Sequence, residues 1–181
     1  MQDLSAVFAA AARAEIDLDA LLSMAGQELL HYARVLLGPY QSAEDAVQDT
    51  LVALLQEGQR AAEIKNPRAW LFTVLRRKAL AYRKTEPQTL AREFGESTET
   101  DATERIILKE ALARLDAIDQ EIIVLHLWEG LTFEAIGTVL GAPRNTVLSR
   151  YARAIQRLRE FFDAPKSTPS RARLGEKEVR C

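Results

Sequence analysis

The apolar residues of this chain recur every three or four positions, and this spacing runs through most of its 181 residues. In the segment 17–37 the apolar positions are Leu18, Leu22, Ala25, Leu29, Tyr32 and Leu36. Spacing of this kind places apolar side chains on one face of an α-helix, whereas a half-buried strand alternates apolar and polar residues. Since no segment alternates in that way, the sequence predicts an all-α fold.

Turn-forming and polar residues divide the helical pattern into two parts. Residues 85–103 contain Pro87, Gly95 and several acids but no apolar period, which is typical of a flexible linker. The sequence therefore predicts two small helical domains joined by a flexible acidic linker. The expected divisions are an N-terminal extension (1–16), a first domain (17–84), the linker (85–103), a second domain (104–163) and a disordered tail (164–181).

Two helices of the first domain have recognisable starts. Ser42 is expected to cap a helix over 43–56, because a serine side chain can accept a bond from a free N–H at a helix start. Asn66 is expected to cap the next helix, over 67–84, whose first position is Pro67.

The exposed faces of these two helices carry opposite charges. The acidic face of 43–56 presents Glu44, Asp45, Gln48 and Asp49. The helix over 67–84 is predicted to pack through Leu71, Phe72, Leu75, Ala79 and Tyr82 and to expose a basic stripe of Arg76, Arg77, Arg83 and Lys84. The acidic face is either a solvated surface or a docking site for a basic partner. The basic stripe is suited to a nucleic-acid backbone. Trp70, Phe72 and Tyr82 raise the alternative of base stacking, but their positions favour packing in the core, with Trp70 at the boundary.

Residues 132–162 have the layout of a helix-turn-helix. Thr132 is expected to cap a short helix over 133–140, Gly141 ends it, and a longer helix follows, with Val147, Tyr151, Ala154, Ile155, Leu158 and Phe162 inside. In such a unit the first turns of the second helix face base edges in the DNA major groove. The candidate contacts are Arg144, Asn145, Thr146, Ser149, Arg150 and Arg153. The alternative is a solvated arginine face.

The overall charge conceals the two basic segments. The formal net charge is −2, which alone argues against nucleic-acid binding. Residues 65–84, however, carry seven basic and no acidic residues, and residues 144–159 carry five basic and no acidic residues. Residues 1–64 and 85–143 have net charges of −7 and −8. The pattern indicates two separate anion-contacting surfaces.

Signals for catalysis, cofactors and membranes are weak. The histidines His31 and His126 lie in separate helical segments, and the single cysteine is Cys181. No Gly-rich phosphate loop, nucleophile elbow or metal-ligand spacing is found. We therefore expect no enzyme activity, no cofactor and no metal site. The chain shows neither a signal peptide nor an apolar run long enough to span a membrane, so we expect a cytoplasmic protein.

Three motifs in this order resemble the bacterial RNA polymerase sigma factors of the extracytoplasmic-function (ECF) type. The sequence AEDAVQDTL at 43–51 is similar to the region 2 signature of that family. The sequence PRAWLF at 67–72, with the basic run after it, is similar to its promoter-melting helix. Residues 131–141 together with 146–150 are similar to the region 4 helix-turn-helix. Leu51 and Leu148 depart from the usual phenylalanine and the usual polar or basic residue.

This resemblance implies a function for each surface. The chain would bind core RNA polymerase, recognise and melt a promoter, and so initiate transcription. Glu44, Asp45, Gln48 and Asp49 would bind core polymerase. Arg76, Arg77, Tyr82, Arg83 and Lys84 would contact the minus-ten element, and Arg144, Asn145, Thr146, Ser149, Arg150 and Arg153 the minus-35 element. The free chain is expected to be monomeric. Members of the family are often held inactive by an anti-sigma factor, although no residue here reports one.

Two other functions are compatible with parts of this pattern. One is a stand-alone helix-turn-helix transcriptional regulator that never binds polymerase. The other is a helical adaptor whose basic stripes bind an acidic protein. The acidic face at 44–49 favours the sigma factor, because a simple regulator has no need of it.

Overall fold

The computed structural model describes residues 4–13, 15, 17–38, 41–85 and 102–163, and every regular element in these ranges is helical. The all-α fold class is thereby confirmed. The α-helices are α1 (Leu4–Ala11), α2 (Leu18–Leu21), α3 (Gln27–Leu37), α4 (Gln41–Glu57), α5 (Pro67–Thr85), α6 (Ala102–Ala113), α7 (Ala117–Ile123), α8 (Phe133–Leu140) and α9 (Arg144–Asp163). A π-helical turn, Leu22–Gly26, joins α2 to α3, and another, Val124–Trp128, follows α7. A 3₁₀ helix, Gly58–Glu63, follows α4.

Helices α3, α4 and α5 pack on one another to form the first group. Their shared core contains Tyr32, Leu54, Phe72 and Leu75, all without solvent exposure. Burial of Leu71, Phe72, Leu75 and Ala79 confirms the predicted apolar side of α5, and Tyr82 is half-buried there.

Helix α1 belongs to the N-terminal segment for which the sequence suggested no element. Val7, Phe8 and Ala11 are buried against the rest of the first group. The Phe8 ring meets the Trp70 ring edge to face, with centroids 5.7 Å apart. The helix also contacts the 3₁₀ helix Gly58–Glu63. Trp70 is thus a packing partner of α1.

Helices α6 to α9 form the second group. Helix α7 packs on α9, and α9 also packs on α8 and α6. Phe162 was predicted to lie inside, and this prediction is wrong: its side chain is 52% exposed. The adjacent Phe161 is half-buried, and the Arg114 guanidinium lies 4.6 Å from its ring centroid.

Local signals located several helix ends correctly. The Ala69 N–H donates to Asn66 Oδ1 at 2.9 Å, and Pro67 is the first residue of α5. Thr132 Oγ1 accepts from the Ala135 N–H at 3.2 Å. The prediction for Ser42 is wrong, because α4 begins at Gln41 and Ser42 lies in its first turn. The Ser42 side chain is buried there, and its hydroxyl has no hydrogen-bond partner among the described residues.

The two groups pack against each other through α5 and α8. A single continuous cluster of buried apolar side chains extends from Phe8 and Leu75 in the first group to Ile136 and Val147 in the second. The predicted linker, except for its two ends, and the predicted tail lie outside the described residues.

Candidate nucleic-acid interface

The acidic face lies on α4, as predicted, but its members have different surroundings. Glu44 and Gln48 are exposed, and Asp45 is half-exposed. Asp49 is directed toward α5, where Lys78 Nζ lies 3.4 Å from its Oδ2 and the Tyr82 hydroxyl donates to that same oxygen at 3.3 Å. Asp49 therefore links α4 to α5. Glu44 Oε1 lies 3.8 Å from Arg34 Nη2 of α3, with half of the Glu44 side chain still exposed.

The basic stripe on α5 is interrupted at Arg76. Arg77 and Lys84 are exposed and Arg83 is half-exposed. The prediction that Arg76 lies on the exposed stripe is wrong: its side chain is only 17% exposed, and its Nε lies 2.7 Å from Glu121 Oε2. Helix α7 of the second group covers it, and such long-range packing has no signature in the local helical period.

Tyr32 completes a three-residue contact with Arg76 and Glu121. The fully buried Tyr32 hydroxyl donates to Glu121 Oε2 at 3.0 Å. Burial and the neighbouring carboxylate raise the pKa of Tyr32 well above 10. Burial acts to lower the pKa of Arg76, but the hydrogen bond and charge of Glu121 outweigh it, so that the Arg76 pKa lies above its ordinary value. Arg76 and Glu121 are thus held as an ion pair.

A second polar contact joins the groups beside the first. Glu129 is 2% exposed, and its Oε1 lies 2.7 Å from His31 Nδ1. The backbone carbonyl of Glu129 accepts a hydrogen bond from Arg68 Nη2, which also lies 2.7 Å from Glu28 Oε2. His31 and Glu129 were both absent from the predicted sites.

The helix-turn-helix is confirmed as a structural unit by α8, the turn and α9. Gly141 ends α8 in the left-handed region, with φ of 67°. Gly137 lies where the turn returns to α8, and its carbonyl accepts from the Ala142 N–H at 2.9 Å. A Cβ at Gly137 would lie 2.6 Å from the Ala142 carbonyl oxygen. Glycine at this position therefore permits the close approach that sets α9 against α8.

The first turns of α9 present their polar side chains to solvent. Arg144, Asn145, Thr146 and Ser149 are exposed, as is Arg153 one turn further. Leu148 lies on the same surface and is 38% exposed. A helix N-terminus carries partial positive charge and free N–H groups, so this end of α9 is suited to phosphate and base contacts.

Arg150 is engaged within the protein. Its Nη1 lies 2.9 Å from Asp119 Oδ1 and 3.4 Å from Asp116 Oδ2. Asp119 is 4% exposed, and burial together with the charge of Asp116 raises its pKa. For Asp116, burial opposes ionisation, but the hydrogen bond from the Asp119 N–H and the charge of Arg150 hold the pKa below its usual range. Arg150 thus fixes α9 against the start of α7.

Tyr32 and Glu121 were absent from the predicted site residues, although Glu121 had a visible signal in the sequence. The residues from 119 to 125 are all buried, and this run contains the polar side chains Asp119, Gln120 and Glu121. An acid beside the apolar run Ile122 to Leu125 predicts a paired, buried charge. Its partner lies 45 residues away, so the pairing itself had no local signal.

The described ranges contain neither a metal site nor a membrane span. No group of three or more His, Cys, Asp or Glu residues in these ranges could hold a metal ion. Among the helices described, none is long and apolar enough to cross a membrane.

Comparisons with known proteins match both groups of helices. A family model of Sigma-70 region 2 matches residues 21–87, and one of Sigma-70 region 4 matches residues 111–160. The ECF RNA polymerase sigma factor SigL of Mycobacterium tuberculosis is 33% identical over 162 residues, covering 83% of this chain and 91% of SigL. The RNA polymerase sigma-E factor of Streptomyces coelicolor is 30% identical over 160 residues, covering 84% of this chain and 89% of that protein.

Solved structures give the same assignment. The sigma factor RpoE of Bartonella quintana, in complex with the anti-sigma factor NepR, aligns with a TM-score of 0.64 and 27% identity over 83% of this chain and 99% of RpoE. CnrH, in complex with the cytosolic domain of CnrY, aligns with a TM-score of 0.62 and 27% identity over 90% of this chain and 99% of CnrH. The similarity therefore covers both groups of helices.

Proposed function

Because this chain belongs to the ECF RNA polymerase sigma factors, we propose that it binds core RNA polymerase through α4 and reads promoter DNA through α5 and α9. The observation that carries this assignment of surfaces is the pairing, on one chain, of an exposed acidic face with a helix-turn-helix whose second helix presents its N-terminal turns to solvent. The chain has no catalytic activity of its own in this proposal, and it works in the cytoplasm, where polymerase is found.

The acidic face is the proposed polymerase-binding surface. Glu44, Asp45 and Gln48 are accessible to a partner with basic side chains. Asp49 orients the face, because its contacts with Lys78 and Tyr82 fix α4 relative to α5.

Two surfaces contact DNA in this proposal. Arg77, Tyr82, Arg83 and Lys84 of α5, and Arg76 when it is uncovered, contact the minus-ten element. Arg144, Asn145, Thr146, Ser149 and Arg153 of α9 contact the minus-35 element. Arg150, the remaining predicted minus-35 contact, supports α9 through its ion pair with Asp119.

An anti-sigma factor is a further proposed partner. RpoE and CnrH, the two structural relatives described above, were each solved in complex with a protein partner, NepR and CnrY. The stand-alone helix-turn-helix regulator and the adaptor are not favoured, since relatives match this chain across both groups of helices.

Charge reversal on α4 tests polymerase binding. Asp45→Arg should abolish retention on core polymerase in a pull-down and abolish run-off transcription, because it places a cation on the docking face. The matched control is Glu110→Arg, the same charge change at an exposed position of α6. Failure of the wild-type chain to bind core polymerase would contradict the proposal.

Truncations on α9 test promoter reading. Arg144→Ala should weaken binding of polymerase holoenzyme to its promoter by about 1–3 kcal/mol and leave core binding unchanged. Arg150→Ala should weaken promoter binding as well, but it should also lower the free energy of unfolding by about 1–3 kcal/mol, because buried Asp119 loses its nearest donor. Equal effects of both variants on stability would rule out the supporting role given to Arg150.

A further inference from the structure

The first turns of α9 carry an uncharged strip along the middle of their exposed face. Helical spacing places four exposed residues in this central strip, namely Asn145, Leu148, Ser149 and Ala152. Val147 and Ala154 are buried on the opposite side of the helix. The central strip therefore points away from the core of the second group, toward the side from which a partner approaches.

Arginines border the central strip on both sides. At about 100° per residue, Arg144 lies beside Leu148 and Arg153 lies beside Ser149, and both arginines are exposed. A helix that lies in the major groove has its centre against the base edges and its flanks near the phosphate backbones. The charges of α9 are thus placed for phosphates, and the uncharged strip is placed for bases.

Leu148 is the main apolar group of the central strip. The Ser149 hydroxyl donates to the Thr146 carbonyl oxygen at 3.0 Å, so its proton is used within the helix. Asn145 ends in an amide, which suits hydrogen bonds to a base edge, and Ala152 has only a methyl group. Within the strip, Leu148 alone ends in a branched apolar group, and it is 38% exposed.

A leucine between two cations is poorly suited to phosphate. It has neither charge nor donor, so packing it against a phosphate would remove water from the anion without replacing its hydrogen bonds. The apolar group that the major groove exposes is the C5 methyl of thymine. Contact with this methyl would remove apolar surface from water on both partners. Leu148 replaces the polar or basic residue usual in the family, so the contact would belong to this chain in particular.

We propose that Leu148 reads one thymine of the minus-35 element through the C5 methyl of that base. The ligand is thymine in duplex DNA, and the contact adds specificity at a single base pair. This base pair would distinguish the promoters of this chain from those of a relative with a basic residue at the same position. The inference rests on the proposed function, because it takes α9 to be the helix that enters the major groove.

The test begins by defining the promoter. Holoenzyme assembled from core polymerase and the full chain selects binders from a library of random-sequence duplexes long enough to contain both promoter elements. Each thymine of the selected minus-35 element is then replaced in turn by deoxyuridine, which forms the same base pair but lacks the methyl. At one position this change should weaken binding of the wild-type holoenzyme about fourfold, the effect of one buried methyl group.

Leu148→Ala tests whether this residue makes the contact. Holoenzyme that contains this variant should bind the thymine and deoxyuridine duplexes equally well at that position. A merely structural role would weaken binding of both duplexes and leave their affinity ratio unchanged. The matched control is Leu22→Ala, in the turn between α2 and α3, where the leucine is 42% exposed. Leu22→Ala should retain the full effect of the methyl.

A second variant changes the specificity. Leu148→Arg should replace the preference for thymine at this base pair with a preference for guanine, because an arginine fork matches the guanine edge in the major groove. The selection from random duplexes is repeated with holoenzyme that contains this variant, and the two consensus sequences are compared position by position.

Specific results would overturn the inference. One is wild-type binding that no thymine methyl affects, and another is a methyl effect of the same size in Leu148→Ala. A Leu148→Arg chain that still selects thymine at the same base pair would contradict it as well. A holoenzyme that enriches no duplex would refute the proposed function and the inference with it, whereas a clear consensus without methyl dependence overturns the inference alone.

Discussion

Gly137 shows how one residue sets the position of a recognition helix. A Cβ at this position would lie 2.6 Å from the Ala142 carbonyl oxygen. Because that oxygen belongs to the backbone, it cannot move aside as the end of a flexible side chain can. Gly137→Ala should therefore push α8 away from the turn, at a cost of about 1–3 kcal/mol in the free energy of unfolding, measured by urea titration.

Gly130→Ala is the control that distinguishes displacement of α9 from a general loss of stability. Gly130 has φ of 62°, but a Cβ added there would have nothing within 4 Å, so Gly130→Ala strains only the local backbone. We expect Gly137→Ala to reduce binding of promoter duplex by the full chain and Gly130→Ala to leave it near the wild-type value. Equal losses in both variants would contradict the role given to Gly137.

Tyr32 makes the stability of the protein sensitive to alkaline pH. Its folded-state pKa is raised well above the ordinary value of 10, so its contribution to stability is fully present below pH 10. Above pH 10 the unfolded chain loses the Tyr32 proton while the folded chain keeps it, and stability falls by up to about 1.4 kcal/mol per pH unit.

Comparison with Tyr32→Phe isolates this contribution. All other side chains are the same in both proteins, so the difference between the two unfolding free energies should shrink steadily from pH 10 upward. Parallel pH profiles for wild type and Tyr32→Phe would show that Tyr32 ionises equally well in the folded state.

At the scale of elements, α1 is a structural part of the first group although it precedes the segment that the Sigma-70 region 2 model matches. Phe8 is 1% exposed and packs on Trp70. Phe8→Ala should lower the free energy of unfolding by about 3–5 kcal/mol. Phe162→Ala is the matched control, since the same change at a side chain that is 52% exposed should cost far less. A small effect of Phe8→Ala would mean that α1 is dispensable.

Helix boundaries were predictable wherever a local interaction defines them. Asn66 with Pro67 marks the start of α5, and Thr132 and Gly141 mark both ends of α8, because caps and left-handed residues act within one turn. The prediction that Ser42 caps α4 was wrong, because a serine that faces the core has the same sequence signature as one that caps a helix.

The exposed surfaces of the candidate site could be predicted from the sequence, but the ion pairs that Arg76 and Arg150 form within the protein could not. Helical period placed Arg77, Lys84 and the first turns of α9 on exposed faces, because exposure of such residues follows from the position of the apolar side. Arg76 and Arg150 are both drawn into ion pairs with acids of α7, at sequence separations of 45 and 31. Helical period contains no information on which helices meet.

For the whole molecule, the continuous apolar core predicts that the two groups of helices unfold together. The chain has two tryptophans, Trp70 in the first group and Trp128 in the second. Trp128→Phe leaves a reporter on the first group, and Trp70→Phe leaves one on the second. Urea midpoints followed by fluorescence should coincide, as in a single cooperative transition. Well-separated midpoints would show that the groups are independent.

The shared core also has a calorimetric consequence for assembly with polymerase. Separating the groups exposes apolar side chains around α5 and α8 to water, which raises the heat capacity, whereas docking on core enzyme buries apolar surface and lowers it. The two contributions oppose each other. The measured heat-capacity change on assembly should therefore be less negative than the value expected from the apolar surface buried by docking alone.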